Sequence, residues 1–207
     1  MGMVLRSLKQ PVTPVYLSAN FDVAQNPLAA PWVNFGTGIY LPEAFGGAMR
    51  IVGSGTDGTN YGYALHSTPM ATDRHLVRAK ITTTNSTWPS WLILNSDASG
   101  NNTVFFNWTG STISIQKKIN GTDTSLTSAS ESQIVNKRAE IVCDSSGGIY
   151  TYTAYINDVQ KLSFVDSSNT LGHGPDRRFV GLGGTRRRAV FTNSWSPNWD
   201  DWSAEDL

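Results

Sequence analysis

The chain has 207 residues, with 16 basic and 16 acidic side chains and a formal net charge of zero, so nothing steers it towards nucleic acid or an anionic membrane. A single cysteine, Cys143, excludes an internal disulfide framework and a cysteine-rich zinc site. Charged residues are only 15%, aromatics reach 11%, and Gly, Ser, Thr and Asn are abundant, a balance that suits turns and half-buried strands over surface helices.

Residues 1–19 read as an N-terminal arm. They carry Pro11 and Pro14 and show no strand alternation before Val15, Tyr16 and Leu17. The arm is expected to lie on a neighbour or on the domain's own edge, with a partly disordered terminus as the alternative. The apolar run in residues 1–11 is too short for a secretory signal, and Arg6 stands where a myristoylation pattern needs Ser or Thr. No apolar stretch approaches the roughly 20 residues that span a bilayer. The expectation is a chain made in a cytoplasm, soluble, leaving a cell only within an assembly or by lysis.

From Asn20 onward, short β-favouring runs alternate with turn clusters. Residues 49–52 stop at the Gly53 to Gly58 cluster, and 61–65 lead to a turn containing Pro69. The run 75–82 alternates, placing Leu76 or Val77, Ala79 and Ile81 towards a core and Arg78 and Lys80 outward. Runs follow at 91–94, 104–108 and 113–117. Asn120-Gly121 then gives a strong hairpin signal. The tight pair Asn157-Asp158 makes 149–165 a second hairpin, preceded by 139–143, where Cys143 reads as a small core side chain. The run 179–182, an arginine hairpin and the segment 199–206 close the chain. No segment sustains helical periodicity over three turns, so the expectation is ten to twelve strands in one all-β domain, residues 20–207, plus the arm.

Two regions carry a family resemblance. Asn20, Phe21 and Asp22, followed by Pro31-Trp32 and the run from Gly47 to Val52, look like the opening of a concanavalin A-like (laminin G-like) jelly roll. The segment from Glu140 to Asp144, the hairpin at Asn157, residues 179–183 and the ending Trp199-Asp200-Asp201-Trp202-Ser203-Ala204-Glu205-Asp206 look like its close. That ending is similar to minor tail proteins of actinobacteriophages. The resemblance spans about residues 20–207, the middle by strand pattern alone. It implies a two-sheet antiparallel jelly-roll sandwich. It also implies a virion protein synthesised in the host cytoplasm, on the tail rather than the capsid, with a module that often touches host-surface carbohydrate. Fold alone does not fix function.

Aromatic residues are the strongest candidates for a site. Trp88, Trp91 and Trp108, with Tyr61, Tyr63 and Asn107, flank one predicted strand pair. Exposed Trp and Tyr stack on the C–H faces of sugar rings while Asn reads hydroxyls; the competing role for each is sandwich core. Trp88, beside a proline in a Thr/Asn-rich loop, is expected to be the most exposed, and Trp202 is expected in the core. Arg186, Arg187 and Arg188 form the one local charge excess, with assembly contacts, acidic glycans or a solvated hairpin as alternatives. Asp200, Asp201, Glu205 and Asp206 are hard oxygen donors of the kind that bind Ca²⁺, but strand alternation splits them between two faces unless a bulge intervenes. Solvation or pairing with the arginines is the expected role, and no cofactor or metal is expected. The Asn-X-Thr/Ser triplets at Asn85, Asn101, Asn107 and Asn120 follow from composition and are set aside.

Catalysis is not expected. Glycosidases need two carboxylates about 5 to 9.5 Å apart across a cleft. There is no Glu-x-Asp-x-Glu run, and Glu43 and Glu131 lie in loop-like contexts. His66, His75 and His173 lack metal spacing, and His173 reads as a loop residue ordering the approach to the last strands. The sequence therefore points to a non-enzymatic virion protein, a minor tail protein recognising cell-envelope carbohydrate. Its expected partners are other virion proteins and a bacterial glycan, with no nucleic acid and no membrane insertion, in multiple copies or as a homo-oligomer. Two alternatives remain open, a capsid or tail decoration or scaffold protein without ligand and a glycan-cleaving tail enzyme.

Overall fold

The computed structural model describes residues 12–53, 57–85, 87–145, 148–189 and 192–207. Among them sixteen strands form two antiparallel sheets. The first runs β13 (Val159–Asp166), β12 (Tyr150–Ile156), β11 (Arg138–Asp144), β6 (His75–Ile81), β16 (Trp199–Asp206), β4 (Met49–Val52) and β3 (Leu41–Ala44), with β1 (Tyr16–Ala19) pairing onto β16. The second runs β10 (Thr122–Ser130), β9 (Thr112–Ile119), β8 (Thr103–Thr109), β7 (Ser90–Ser96), β14 (Phe179–Ala189), β5 (Gly58–His66) and β2 (Trp32–Gly36), with β15 (Thr192–Trp195) on β14. This is the expected jelly-roll sandwich. No helix among the described residues is long and apolar enough to cross a membrane.

Alternation along each strand builds the core. In β6 the inward set is Val77, Ala79 and Ile81, which decides the register the sequence left open, and Arg78 and Lys80 point out. These residues meet Leu92, Phe106, Trp108 and Leu182 of the second sheet, and Trp199, Trp202 and Cys143 join them. Burial of one such large apolar side chain contributes about 1.5–3 kcal/mol. Both expected hairpins form: Asn157 and Asp158 take φ of 49° and 65°, and Asn120 and Gly121 take 49° and 80°, the left-handed pairs that match strand twist.

Sixteen strands exceed the expected ten to twelve, and the extra ones are peripheral. β3 contains Pro42 at the end of its sheet, where a missing N–H is harmless. β2 ends the other sheet, and β1 and β15 lie off the main path. Such strands, four or five residues each, leave little alternation to read. The last part of the expected arm, β1, lies on the domain's own sheet, with Leu17 opposite Ala204. Residues 1–11 lie outside the described residues.

Candidate functional site

Cross-strand register sets the site on the outward face of the second sheet. Phe35, Tyr63, Gly183, Trp91, Asn107 and Ser114 follow one another as direct partners across six strands. The next row on the same face is Leu65, Gly181, Ile93, Phe105 and Gln116. Beyond it Thr103 faces Lys118, which faces Asp123. The face is therefore apolar towards β5 and β7 and polar towards β9 and β10.

Gly183 makes the aromatic half possible. A Cβ there would stand 2.6 Å from Tyr63 Cβ and 2.8 Å from Trp91 Cε3, so the bare strand lets the two rings approach across it. Tyr63 stacks on Phe35 with centroids 5.0 Å apart and donates its hydroxyl to the Gly100 carbonyl at 3.3 Å. Burial, helped by Tyr61 and Asp97, pushes its phenol up to about 12, so it stays neutral. Trp91 meets Tyr61 and Phe105 edge-on at 6.3 and 6.1 Å.

The polar half is wired to the aromatic half. Trp91 Nε1 donates to Asn107 Oδ1 at 2.9 Å. Asn107 Nδ2 donates to Ser114 Oγ and Thr109 Oγ1, both at 3.3 Å, and Gln116 Nε2 donates to Ser114 Oγ at 2.9 Å. Lys118 Nζ stands 5.5 Å from the centroids of Tyr61 and Tyr63 and 3.9 Å from Asp123. The notch among Tyr63, Trp91, Phe105 and Lys118 encloses about 20 Å³, room for about one water. This is a shallow platform with fixed amides and hydroxyls, and Asp123 is the one carboxylate lining its notch among the described residues.

The structure thus brings Tyr61, Tyr63, Trp91 and Asn107 together, with Tyr61 exposed and Tyr63 nearly buried. Trp108 is a correction. It is fully buried, on the opposite parity from Asn107, and its indole N–H donates to the Glu131 carbonyl at 2.9 Å. Trp88 is half-buried rather than the most exposed tryptophan; its amide donates to Asn85 Oδ1, and the Arg187 guanidinium lies 5.7 Å from its ring centroid. The exposed tryptophan is Trp195, which the sequence reading passed over; its one signal is the turn-rich setting Asn193-Ser194-Trp195-Ser196-Pro197.

The arginines do not form one patch. Arg187 shares the outward face, Arg186 packs 5.3 Å from the Trp195 centroid and donates to the Gly53 carbonyl, and Arg188 stands 3.9 Å from Asp57. Nor do they pair with the C-terminal acids. A bulge does interrupt β16 between Asp200 and Ser203, yet the carboxylates disperse: Asp201 binds Lys80 at 2.7 Å, Glu205 faces Arg78 at 3.4 Å, and Asp206 accepts from Val15, Ala71 and Thr72 amides. Among the described residues no group of three or more His, Cys, Asp or Glu is placed to hold a metal. Glu43 lies in β3, ion-paired with Arg50 at 2.6 Å, rather than in the loop-like context the sequence suggested, whereas Glu131 does lie in the loop after β10, where it binds Lys137 and Lys161. Burial would raise the Glu131 carboxyl, but the two lysines outweigh it and hold it low.

Two antiparallel sheets with this shallow face define a lectin-like, concanavalin A-like jelly roll, and solved structures agree on the fold. The carbohydrate-binding module CBM66 from Bacillus subtilis is 16% identical, with a TM-score of 0.54 over 85% of this chain and 92% of that one. Lectin I from Ulex europaeus, in complex with the methyl glycoside of α-L-fucose, is 13% identical, with a TM-score of 0.57 over 93% and 98%. The endo-1,3-β-glucanase from Streptomyces sioyaensis is 12% identical, with a TM-score of 0.62 over 97% and 99%. Binders and hydrolases therefore share this scaffold. The chain itself belongs to the family described as Domain of unknown function (DUF7257), which matches residues 30–207. No curated protein matches the sequence.

Proposed function

We propose that this chain is a non-enzymatic carbohydrate-recognition module, carried on a phage virion as a minor tail protein and directed at glycan of the bacterial cell envelope. The carrying observation is the continuous outward row in which Trp91, Asn107 and Ser114 are direct partners, with exposed Tyr61 beside them. A sugar ring laid on Trp91 and Tyr61 places its C–H face on aromatic carbon. Its rim hydroxyls then reach the half-buried Asn107 and Gln116 amides, which the buried Ser114 hydroxyl holds in place. Such a platform gains little from enclosure, so each site is weak and several copies on one particle supply avidity. The lectin and carbohydrate-binding module folds support the glycan class, and the resemblance of the C-terminus supports the virion setting.

A second reading, a decoration or scaffold protein of capsid or tail without ligand, is favoured by the edge strand β13, where Val159 and Val165 are both more than half exposed. A glycan array probed with wild type and Trp91→Ala tests the first reading. Binding that the substitution weakens about tenfold, roughly 1.4 kcal/mol, supports it. Binding that Trp91→Ala leaves unchanged removes the face from the account. Gold-tagged antibody on intact virions tests the setting: label at the tail tip supports host recognition, and label spread over the capsid supports decoration.

A further inference from the structure

A second site lies at one end of the sandwich, where the loops after β6, β8 and β10 meet β15 and the segment leading into β16. Two hollows of about 300 and 310 Å³ lie side by side, with Thr84 and Asn85 in the walls of both, and are treated together as a groove. Each matches the lower range of ligand pockets, and each is far larger than the notch on the aromatic face. Trp195, 38% exposed, lines the first hollow with Ser194 and Asn198; Ser111 and Ser132 line the second.

The floor of this groove is fixed while its rim is unspent. Asn85 Oδ1 accepts from the Thr87 and Trp88 amides, its own amide donates to Gln133 Oε1, and Gln133 Nε2 donates to the Trp108 carbonyl. The Asn198 amide donates to Thr83 Oγ1 and its carbonyl accepts from Thr82. The side chains of Thr84, Ser111, Ser132, Ser194 and Asn198, by contrast, have no hydrogen-bond partner among the described residues. Among the described residues no carboxylate lines either hollow, and the one lining cation, Arg50, is already paired with Glu43.

We infer that this groove is a second saccharide site, taking a neutral oligosaccharide with one ring on Trp195 and further rings towards Ser111 and Ser132. A flat aromatic beside short, unpartnered hydroxyls and amides matches a ring with one apolar face and a polar rim. The lining side chains that remain free are uncharged and suit a neutral sugar, Arg186 over the Trp195 ring is engaged by the Gly53 carbonyl, and with no carboxylate among the described lining residues the groove binds without cleavage. The groove has its own residues, so it stands or falls separately from the Trp91 face.

The test is an NMR titration of the full ¹⁵N-labelled chain, reading the seven tryptophan indole N–H signals. The probes are galactose, methyl α-L-fucoside and oligoagarose, each seen in complex with a protein of this fold, and oligomers of 1,3-β-glucan, after which an endo-1,3-β-glucanase of this fold is named. At least one oligomer is expected to shift the Trp195 indole saturably. Trp195→Ala should weaken that binding at least tenfold and Asn198→Ala about fivefold, with Trp91→Ala changing it less than twofold. Because Trp195→Ala also loosens β15, Asn198→Ala and Thr84→Val, which remove no described contact, keep the result readable. Shifts at Trp195 without shifts at Trp91 uphold the groove and sink the face. Shifts confined to Trp88 and Trp91 overturn the groove and leave the face standing. No saturable shift of Trp195 with any probe, or one indifferent to both Asn198→Ala and Thr84→Val, overturns it as well.

Discussion

Trp91 and Trp108 sit on adjacent antiparallel strands, Trp91 opposite Asn107 and Trp108 opposite Ser90, and that one-residue offset decides their roles. Side chains alternate between faces, so one indole joins the outward platform and the other the core. Trp108→Ala is therefore expected to cost about 3–5 kcal/mol of stability, and Trp91→Ala to cost far less while weakening glycan binding about tenfold. Thermal melts paired with binding assays check both; equal destabilisation by the two would refute the assignment. Gly183 makes a sharper prediction. Gly183→Ala places a methyl against Tyr63 and Trp91, and such overpacking costs about 1–3 kcal/mol. The two rings must also part, so binding should fall even in protein that remains folded at the assay temperature.

At the scale of elements, the C-terminal strand acts as a clasp. Asp206 accepts from the Val15 amide at 2.7 Å, the Ala71 amide at 3.1 Å, and the Thr72 amide and hydroxyl, both at 2.9 Å, joining β1, the β5–β6 loop and β16 at one carboxylate. Asp206→Ala leaves those amides unmade, at about 1–3 kcal/mol for each buried donor. We expect β1 to open first, seen as lost amide-exchange protection at Leu17 and Ala19 while β7 and β14 stay protected. Uniform loss across both sheets would show that β1 is not a separable unit. The strands hidden from sequence, β1, β2, β3 and β15, are peripheral and only four or five residues long, whereas β6, β11 and β12 announced themselves through strict alternation. Register across strands is a tertiary property, and for that reason Trp108 could not be separated from Trp91 beforehand. Trp195 was hidden for a different reason: a lone tryptophan among Asn, Ser and Pro has no periodicity to orient it.

Across the whole molecule, three histidines tie the sheets and loops together. His75 lies between the Thr72 and Leu94 carbonyls, both at 2.9 Å, and so bridges the two sheets. His66 packs with Trp32 and Trp202, and His173 stacks on Tyr150 beside Asp166, ordering the approach to β14 as its loop position suggested. Burial is the dominant influence on all three and holds each imidazole below its usual range, outweighing the carbonyls and carboxylates nearby. The unfolded chain binds protons at about pH 6.5 that the folded chain does not yet accept, so stability falls as pH drops through and below that value. The melting temperature should decline between about pH 7 and pH 5, before ordinary carboxylates titrate. A flat profile over that window would contradict the burial argument.

Carbohydrate binding by the outward face of the second sheet is decided by a crystal structure of the chain with the tightest oligosaccharide from the array. A sugar ring is expected against Trp91 and Tyr61, with hydroxyls within hydrogen-bond reach of Asn107 or Gln116. A bound oligosaccharide that leaves this face bare would contradict it.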